Sequence, residues 1–407
     1  MSAEELVEES AWRWSGWSSR LIGGFCRHLA FGQLLIRFPD GSASLHRGRF
    51  GGASGALEIR SPLQMAARLL TRGEVGFGES YVEGHWTTPD LASLLEVLYD
   101  NMEHLGAGPR GMRWSRLWDR LAHRLRDNHP TNSRRNIAHH YDLGNEFYRL
   151  WLDPSMTYSS ALFADPARDN METAQERKYQ RLLDKLNAAP GDHILEIGCG
   201  WGGFAELAAR RGLRVTGVTL SREQLAYGRR RLAAAGLAGQ VDLRLQDYRD
   251  IEGHFDHAVS IEMMEAVGEA FWPTYYQTLR RVVRPGGRIA LQVITMNEDD
   301  FPIYRKQPDF VQLYIFPGGM LPTPERMIRE AQDADLLIRE TAWFGRDYAE
   351  TLRRWRLAFR AAGEEIARLG YGARFRRMWD YYLAYCETGF KTGCIDLTQT
   401  VLEVPVR

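Results

Sequence analysis

The chain has 407 residues, 44% of them apolar, with 52 basic and 52 acidic side chains. This length and composition exclude a disordered protein and give enough apolar material for a large core in two domains. The balanced charge offers no ground for a nucleic-acid partner, no apolar run reaches the roughly 18 residues of a membrane-spanning helix, and the acidic opening MSAEELVEES does not read as a secretory signal.

The predicted elements begin with a strand over Phe31–Phe38, turned by Pro39-Asp40-Gly41-Ser42 into a second short run. A helix is predicted over Pro62–Leu70, with Ser61 as cap and Pro62 at its first position, and another over Leu91–Tyr99. From Gly111 to Asn128, Trp114, Leu117, Trp118, Leu121 and Leu125 recur at helical spacing, with arginines on the other faces. Eight arginines stand between Arg110 and Arg135 against only Asp119 and Asp127. Such a helix either lies in an anionic lipid surface or packs on the protein with a solvated basic face. Packing is the default for an amphipathic helix. Asn128-His129-Pro130-Thr131-Asn132-Ser133 reads as a boundary between a domain of residues 1–128 and one of residues 129–407.

Beyond it strands alternate with helices. Strands are predicted at Ile194–Ile197, Leu213–Val218, Val241–Leu245, Phe255–Ile261 and Arg288–Ile294, with Leu337–Trp343 and Thr400–Val404 completing a seven-stranded sheet. The insertion Phe301–Thr323 suits a lid, and the aromatic-rich helical stretch Tyr348–Lys391 suits a pocket wall. Cys26, Cys199, Cys386 and Cys394 show neither disulfide nor metal spacing, so reduced thiols and a cytoplasmic setting are expected. His139 and His140 lack a partner cluster, and no metal site is read.

The most telling stretch is His193-Ile194-Leu195-Glu196-Ile197-Gly198-Cys199-Gly200-Trp201-Gly202-Gly203, an apolar strand entering a glycine-rich turn. The turn lets a nucleotide-like ligand approach the backbone at the carboxyl end of a parallel strand. A dinucleotide site wants an acid at the tip of the next strand, but that strand ends in Thr219-Leu220-Ser221. Glu196, in contrast, stands where methyltransferases hold the methionine end of S-adenosylmethionine (SAM). The fold expected is Rossmann-like α/β, a seven-stranded class I SAM-dependent methyltransferase with a smaller N-terminal α+β domain.

Six ordered blocks then carry a resemblance: His139–Asn145, Tyr158–Ala161, Val218–Gln224, Leu245–Arg249, Met264–Gly268 and Tyr314–Gly319. Around the glycine turn they resemble the cyclopropane-fatty-acyl-phospholipid synthase family, which includes the mycolic acid cyclopropane synthases. The resemblance implies SAM as methyl donor and the double bond of an unsaturated acyl chain in membrane phospholipid as acceptor. It implies bicarbonate as a candidate base, peripheral contact with the inner face of the membrane, and a first domain serving lipid contact or assembly into a homodimer. By position, Tyr158 and Ser159 would adjoin the SAM carboxylate, Gly198 and Gly200 its backbone groups, and Leu220 and Gln224 the ribose. Asp247 and Tyr248 would adjoin the adenine, although Asp247 also suits a helix cap. Ser160, Glu265, Gln292, Tyr348 and Cys386 would form the bicarbonate pocket, with Glu265→Gln expected to keep SAM binding and lose product.

Three positions depart from the bacterial synthases, which read Cys at Ser160, His at Ala266 and His at Gln292. Glutamine donates a hydrogen bond but exchanges no proton near neutral pH. The expected product is therefore a cyclopropane or, with weaker assistance to deprotonation, a methyl-branched alkene of the kind that precedes furan fatty acids. Rival readings are a small-molecule N-methyltransferase and a lipid-binding protein without turnover.

Overall fold

The structure, a computed structural model, describes residues 28–102 and 143–406. The basic segment Gly111–Asn128, the expected boundary after residue 128, and His139 and His140 lie outside the described residues.

The N-terminal part forms a four-stranded sheet in the order β2-β1-β3-β4, from β1 (Phe31–Arg37), β2 (Ala43–Arg47), β3 (Phe50–Ile59) and β4 (Trp86–Thr87). The helix expected over Pro62–Leu70 runs on as α1 (Pro62–Val82) past a break at Gly73, whose φ of 56° only glycine adopts freely. Beyond the break Phe77, Tyr81 and Val82 are buried, so apolar packing carries the helix onward. Ser61 precedes Pro62 but makes no side-chain capping bond; its N–H donates to the His85 carbonyl at 2.9 Å. Helix α2 (Leu91–Asp100) is capped by Asp90.

The second sheet has seven strands in the order β10-β11-β9-β8-β5-β6-β7. They are β5 (His193–Ile197), β6 (Arg214–Thr219), β7 (Val241–Leu245), β8 (His257–Ile261), β9 (Arg288–Met296), β10 (Leu337–Trp343) and β11 (Ile395–Glu403). From β9 to β7 all neighbours are parallel, and β11 runs antiparallel to both β9 and β10. Strand β11 begins five residues before the expected Thr400, because it pairs on both edges from Thr398 and on one from Ile395.

Helices cover both faces: α3 (Met171–Leu186), α4 (Gly203–Arg210) and α5 (Arg222–Ala234) on one side, α6 (Trp272–Val282) on the other. Their starts follow local chemistry. Asn170 accepts from Thr173 N–H at 2.8 Å and Ser221 from Gln224 N–H at 3.2 Å. On α6, Trp272, Tyr275, Tyr276 and Leu279 share one face and are fully buried, each worth about 1.5–3 kcal/mol. The chain winds outward from β5 to β7, then returns to β8 and β9, which leaves a switch point between β5 and β8.

The insertion after β9 holds two short helices, α7 (Phe301–Tyr304) and α8 (Phe310–Tyr314). It is pinned from both sides: Met320 N–H donates to the Glu265 carbonyl at 2.8 Å, and the Tyr314 hydroxyl donates to Glu79 of α1. After α9 (Pro324–Asp333) and β10 come α10 (Gly345–Ala361) and α11 (Ala373–Thr392). Helix α11 serves two cores at once. Tyr381 and Ala384 pack with the four-stranded sheet, while Trp379, Tyr382 and Phe390 pack with Tyr348 and Trp355 of α10. Polar ties reinforce this wall, among them Tyr81 hydroxyl to Asp380 at 2.8 Å and Arg356 to Glu387 at 3.0 Å.

Candidate active site

The site begins where β5 ends. Gly198, Gly200 and Gly202 have φ of 84°, 50° and 83° and turn the chain into α4. A Cβ on Gly198 would lie 2.8 Å from Met263 Cγ, so a side chain there would force Met263 to move as well as strain the dihedral. The turn opens a cleft over the switch point, walled by the ends of β5, β6 and β8.

Eight of the nine residues expected at the cofactor line this cleft: Tyr158, Ser159, Glu196, Gly198, Gly200, Leu220, Gln224 and Tyr248. Glu196 is buried, which raises its carboxyl well above the usual range, and its Oε2 has no hydrogen-bond partner. Such an orphaned acceptor facing a cleft suits a ligand ammonium or hydroxyl. Gln224 is held by Thr219, whose hydroxyl donates to its Oε1 at 2.9 Å. The buried Tyr248 hydroxyl also lacks a partner.

Asp247 is not part of the cleft wall. Its Oδ1 accepts from the Arg249 N–H at 3.1 Å, and both carboxylate oxygens pair with the Arg249 guanidinium at 2.8 and 2.7 Å. This is capping and ion-pair geometry, and it fixes the turn that carries Tyr248.

Three of the five residues expected around an anion meet at a residue not singled out from sequence, Glu262. Its Oε1 accepts from Ser160 N–H and from Gln292 Nε2, both at 2.8 Å, and its Oε2 accepts from the Tyr348 hydroxyl at 2.6 Å. Glu265 stands apart from that knot. Its Oε1 accepts from Ile294 N–H at 2.6 Å, while Oε2 is buried without a partner. Burial first, then the nearby Glu262, pushes its carboxyl up to about 8. Cys386 is not among the groups that hydrogen-bond to Glu262; its charge would bear on Tyr348, and burial raises its thiol.

Lys178 was also missed. It is buried on the core stripe of α3 with Ala174, Gln175, Tyr179 and Leu182, and its Nζ donates to Ser159 Oγ at 2.6 Å. Burial lowers its ammonium to about 7, opposed by the charges of Glu262, Asp153 and Glu196. A lysine on an apolar helical stripe was the sequence signal available. An aromatic wall closes the site: Tyr158 packs at 5.4 Å on both Trp151 and Trp355, and its hydroxyl meets that of Tyr382 at 2.8 Å.

An open α/β sheet with a glycine-turned cleft at its switch point and a waiting carboxylate beneath it defines a class I SAM-dependent methyltransferase. The chain belongs to the mycolic acid cyclopropane synthetase family, whose model matches residues 128–400. It is 41% identical to a tuberculostearic acid methyltransferase of Mycobacterium tuberculosis over 95% of this chain and 90% of the relative. It is 34% identical to the cyclopropane-fatty-acyl-phospholipid synthase of Escherichia coli K12 over 86% of this chain and 88% of that one. Among solved structures, a mycolic acid cyclopropane synthase complexed with SAH and CTAB superposes with a TM-score of 0.62 at 28% identity, covering 66% of this chain and 98% of that one. The enzyme is therefore a SAM-dependent methyltransferase of the fatty-acyl-modifying type. Among the described residues, no helix is long and apolar enough to cross a membrane.

Proposed function

We propose that the enzyme transfers a methyl(ene) group from SAM to the double bond of an unsaturated fatty acyl chain in membrane phospholipid, forming a cyclopropane. The observation that carries this reading is the pairing of a SAM-type cleft with a buried carboxylate, Glu262, set in a polar knot on the cleft wall.

When bound, SAM supplies an electrophilic sulfonium methyl. Glu196 would take the ammonium or hydroxyl donor on its free Oε2, and Gly198 and Gly200 would admit the ligand to the backbone. Tyr158 and Ser159 would adjoin the carboxylate, Leu220 and Gln224 the ribose, and Tyr248, braced by the Asp247–Arg249 pair, the adenine. An isolated alkene is a weak nucleophile, so the enzyme's part is to hold it in line in a dry pocket. The faces of Tyr158 and Trp355 suit the positive charge that develops on the acyl chain. Residues 1–128 would serve lipid contact or dimer formation, the arginine-rich stretch meeting anionic headgroups at the inner face of the membrane.

A second reading, a methyl-branched unsaturated product, is supported by the 41% identity to a relative named a methyltransferase rather than a synthase. Incubation with SAM and vesicles of cis-monounsaturated phospholipid, set against amine and phenol acceptors, tests the acceptor class. Gain of one CH₂ on the acyl chain supports the lipid reading, and methylation of the small acceptors alone overturns it.

A further inference from the structure

Glu262 sits at the very end of the sheet core, immediately after Ile261 of β8, with φ at 50°. A residue with a Cβ adopts that region only when its surroundings impose it, so the outlier asks what the side chain is held for. Its carboxylate is gripped by three donors from three separate places: a main-chain N–H at Ser160, an amide on β9 and a phenol on α10. The Gln292 amide is itself oriented, since its Oε1 accepts from Gln399 Nε2 at 2.8 Å and its NH₂ is thereby turned toward Glu262. Burial raises the Glu262 carboxyl, and the three donors, with the nearby Lys178 that burial itself lowers to about 7, oppose that rise.

These donors belong to Ser160, Gln292 and Tyr348, three of the residues that the family resemblance assigns to a bicarbonate pocket. A bound bicarbonate needs the same donors, and here a side chain of the chain itself already uses them. Glu265, the remaining carboxyl of that set, holds a buried oxygen without a partner beside Glu262. A free anion would therefore meet one or two carboxyl groups and none of the three donors, so these residues do not fit bicarbonate.

Building on the lipid C-methylation proposed above, we infer that the Glu262 carboxylate is a built-in replacement for the family's bicarbonate and is the base that completes the reaction. In the transfer step the π electron pair forms the new carbon–carbon bond, the methyl–sulfur bond breaks with its pair left on sulfur, and the acyl chain carries the positive charge. Glu262 then takes a proton from the methylated chain. The freed C–H pair closes the ring, or forms a double bond if the proton leaves a neighbouring carbon. Glu262 is left as a neutral acid and returns the proton to solvent. The environments divide the labour between two carboxyl groups three residues apart: Glu262 has three donors to oppose the cost of burial and is the one fitted to act as base, and Glu265, with one, is the one held as an acid.

The test uses the full chain in buffer stripped of carbon dioxide, with ¹³C-bicarbonate line broadening as a binding readout and methyl incorporation into vesicles of monounsaturated phosphatidylglycerol as an activity readout. Wild-type turnover is expected to stay within about twofold on removing bicarbonate, and Glu262→Gln to lose at least roughly 100-fold while still binding SAM. Glu262→Gly keeps the three donors, suits a positive φ and empties the cradle, so it should bind bicarbonate and regain turnover when bicarbonate is added. A wild type that binds bicarbonate or needs it for turnover overturns the inference, as does Glu262→Gln at the wild-type rate. Binding by neither wild type nor Glu262→Gly also counts against it. If the wild type methylates no lipid, the proposed function fails, and the binding readout alone still decides the role of Glu262.

Discussion

Gln292 donates from Nε2 to Glu262 Oε1 at 2.8 Å and accepts from Gln399 on its other amide atom at 2.8 Å, which fixes the amide in one orientation. A hydrogen bond to a charged group is worth about 1.5–3 kcal/mol. Replacing Gln292 by Leu should therefore cost roughly 10- to 100-fold in kcat and move the acidic limb of the kcat–pH profile upward, because Glu262 then holds its proton more tightly. SAM affinity should change little. A loss confined to SAM binding would place Gln292 at the cofactor instead.

Glu265 and Glu262 should respond differently to the same change. Glu265 is raised to about 8, so at pH 7 it is largely a neutral acid and Gln is its near-isostere. Glu265→Gln is expected to lose less turnover at pH 7 than Glu262→Gln, a revision of the larger loss that sequence resemblance implies for Glu265. Single-turnover rates of both variants at saturating SAM make the comparison. A greater loss at Glu265 would return the charged role to it.

The same shift predicts a pH dependence of stability. Unfolded Glu265 titrates near 4.5 and folded Glu265 near 8, so between those values the folded state binds more protons and the wild type loses stability as pH rises. Glu265→Gln lacks that loss. The difference in Tm, variant minus wild type, should grow from pH 5 to 8 and level off above. Lys178, lowered to about 7, acts above neutrality in the opposite direction but is common to both proteins and cancels. A pH-independent difference would contradict the burial assigned to Glu265.

Glu196→Gln should separate affinity from stability. Burial already disfavours the charge of this group and leaves one oxygen without a partner, so replacing it by an amide should leave Tm unchanged or higher. SAM binding, measured by calorimetry, should weaken by roughly tenfold or more, because an amide cannot ionise opposite the ligand ammonium. Equal losses in both would mark Glu196 as structural.

Gly198→Ala tests the turn. The left-handed φ of 84° and the 2.8 Å approach to Met263 Cγ should cost roughly 1–3 kcal/mol of stability and weaken SAM binding together. Unfolding in denaturant with and without SAM reads both effects.

The parallel strands were legible because β5, β6 and β8 are buried on both faces and read as apolar runs, and the glycine turn marked the cleft directly. Strand β3 was not, since FGGASGALEI lacks the bulk that signals a strand and is held by its pairing with β1. The cofactor side depends on local sequence around β5 and β6, and most of its residues could be placed from it. The Glu262 knot is different in kind. Its partners lie 30, 86 and 102 residues away, and the backbone twist that aims the carboxylate depends on where β8 stops. Nothing local to Glu262 announces either fact.

The most direct measurement is incubation of the purified enzyme with SAM carrying a trideuterated methyl group and vesicles of cis-monounsaturated phospholipid, followed by mass spectrometry and NMR of the acyl chains. The account predicts one new carbon on the acyl chain with label from SAM: two deuterons retained in a ring, or three in a methyl branch. An acyl chain without label, under conditions where the enzyme binds SAM, would contradict it.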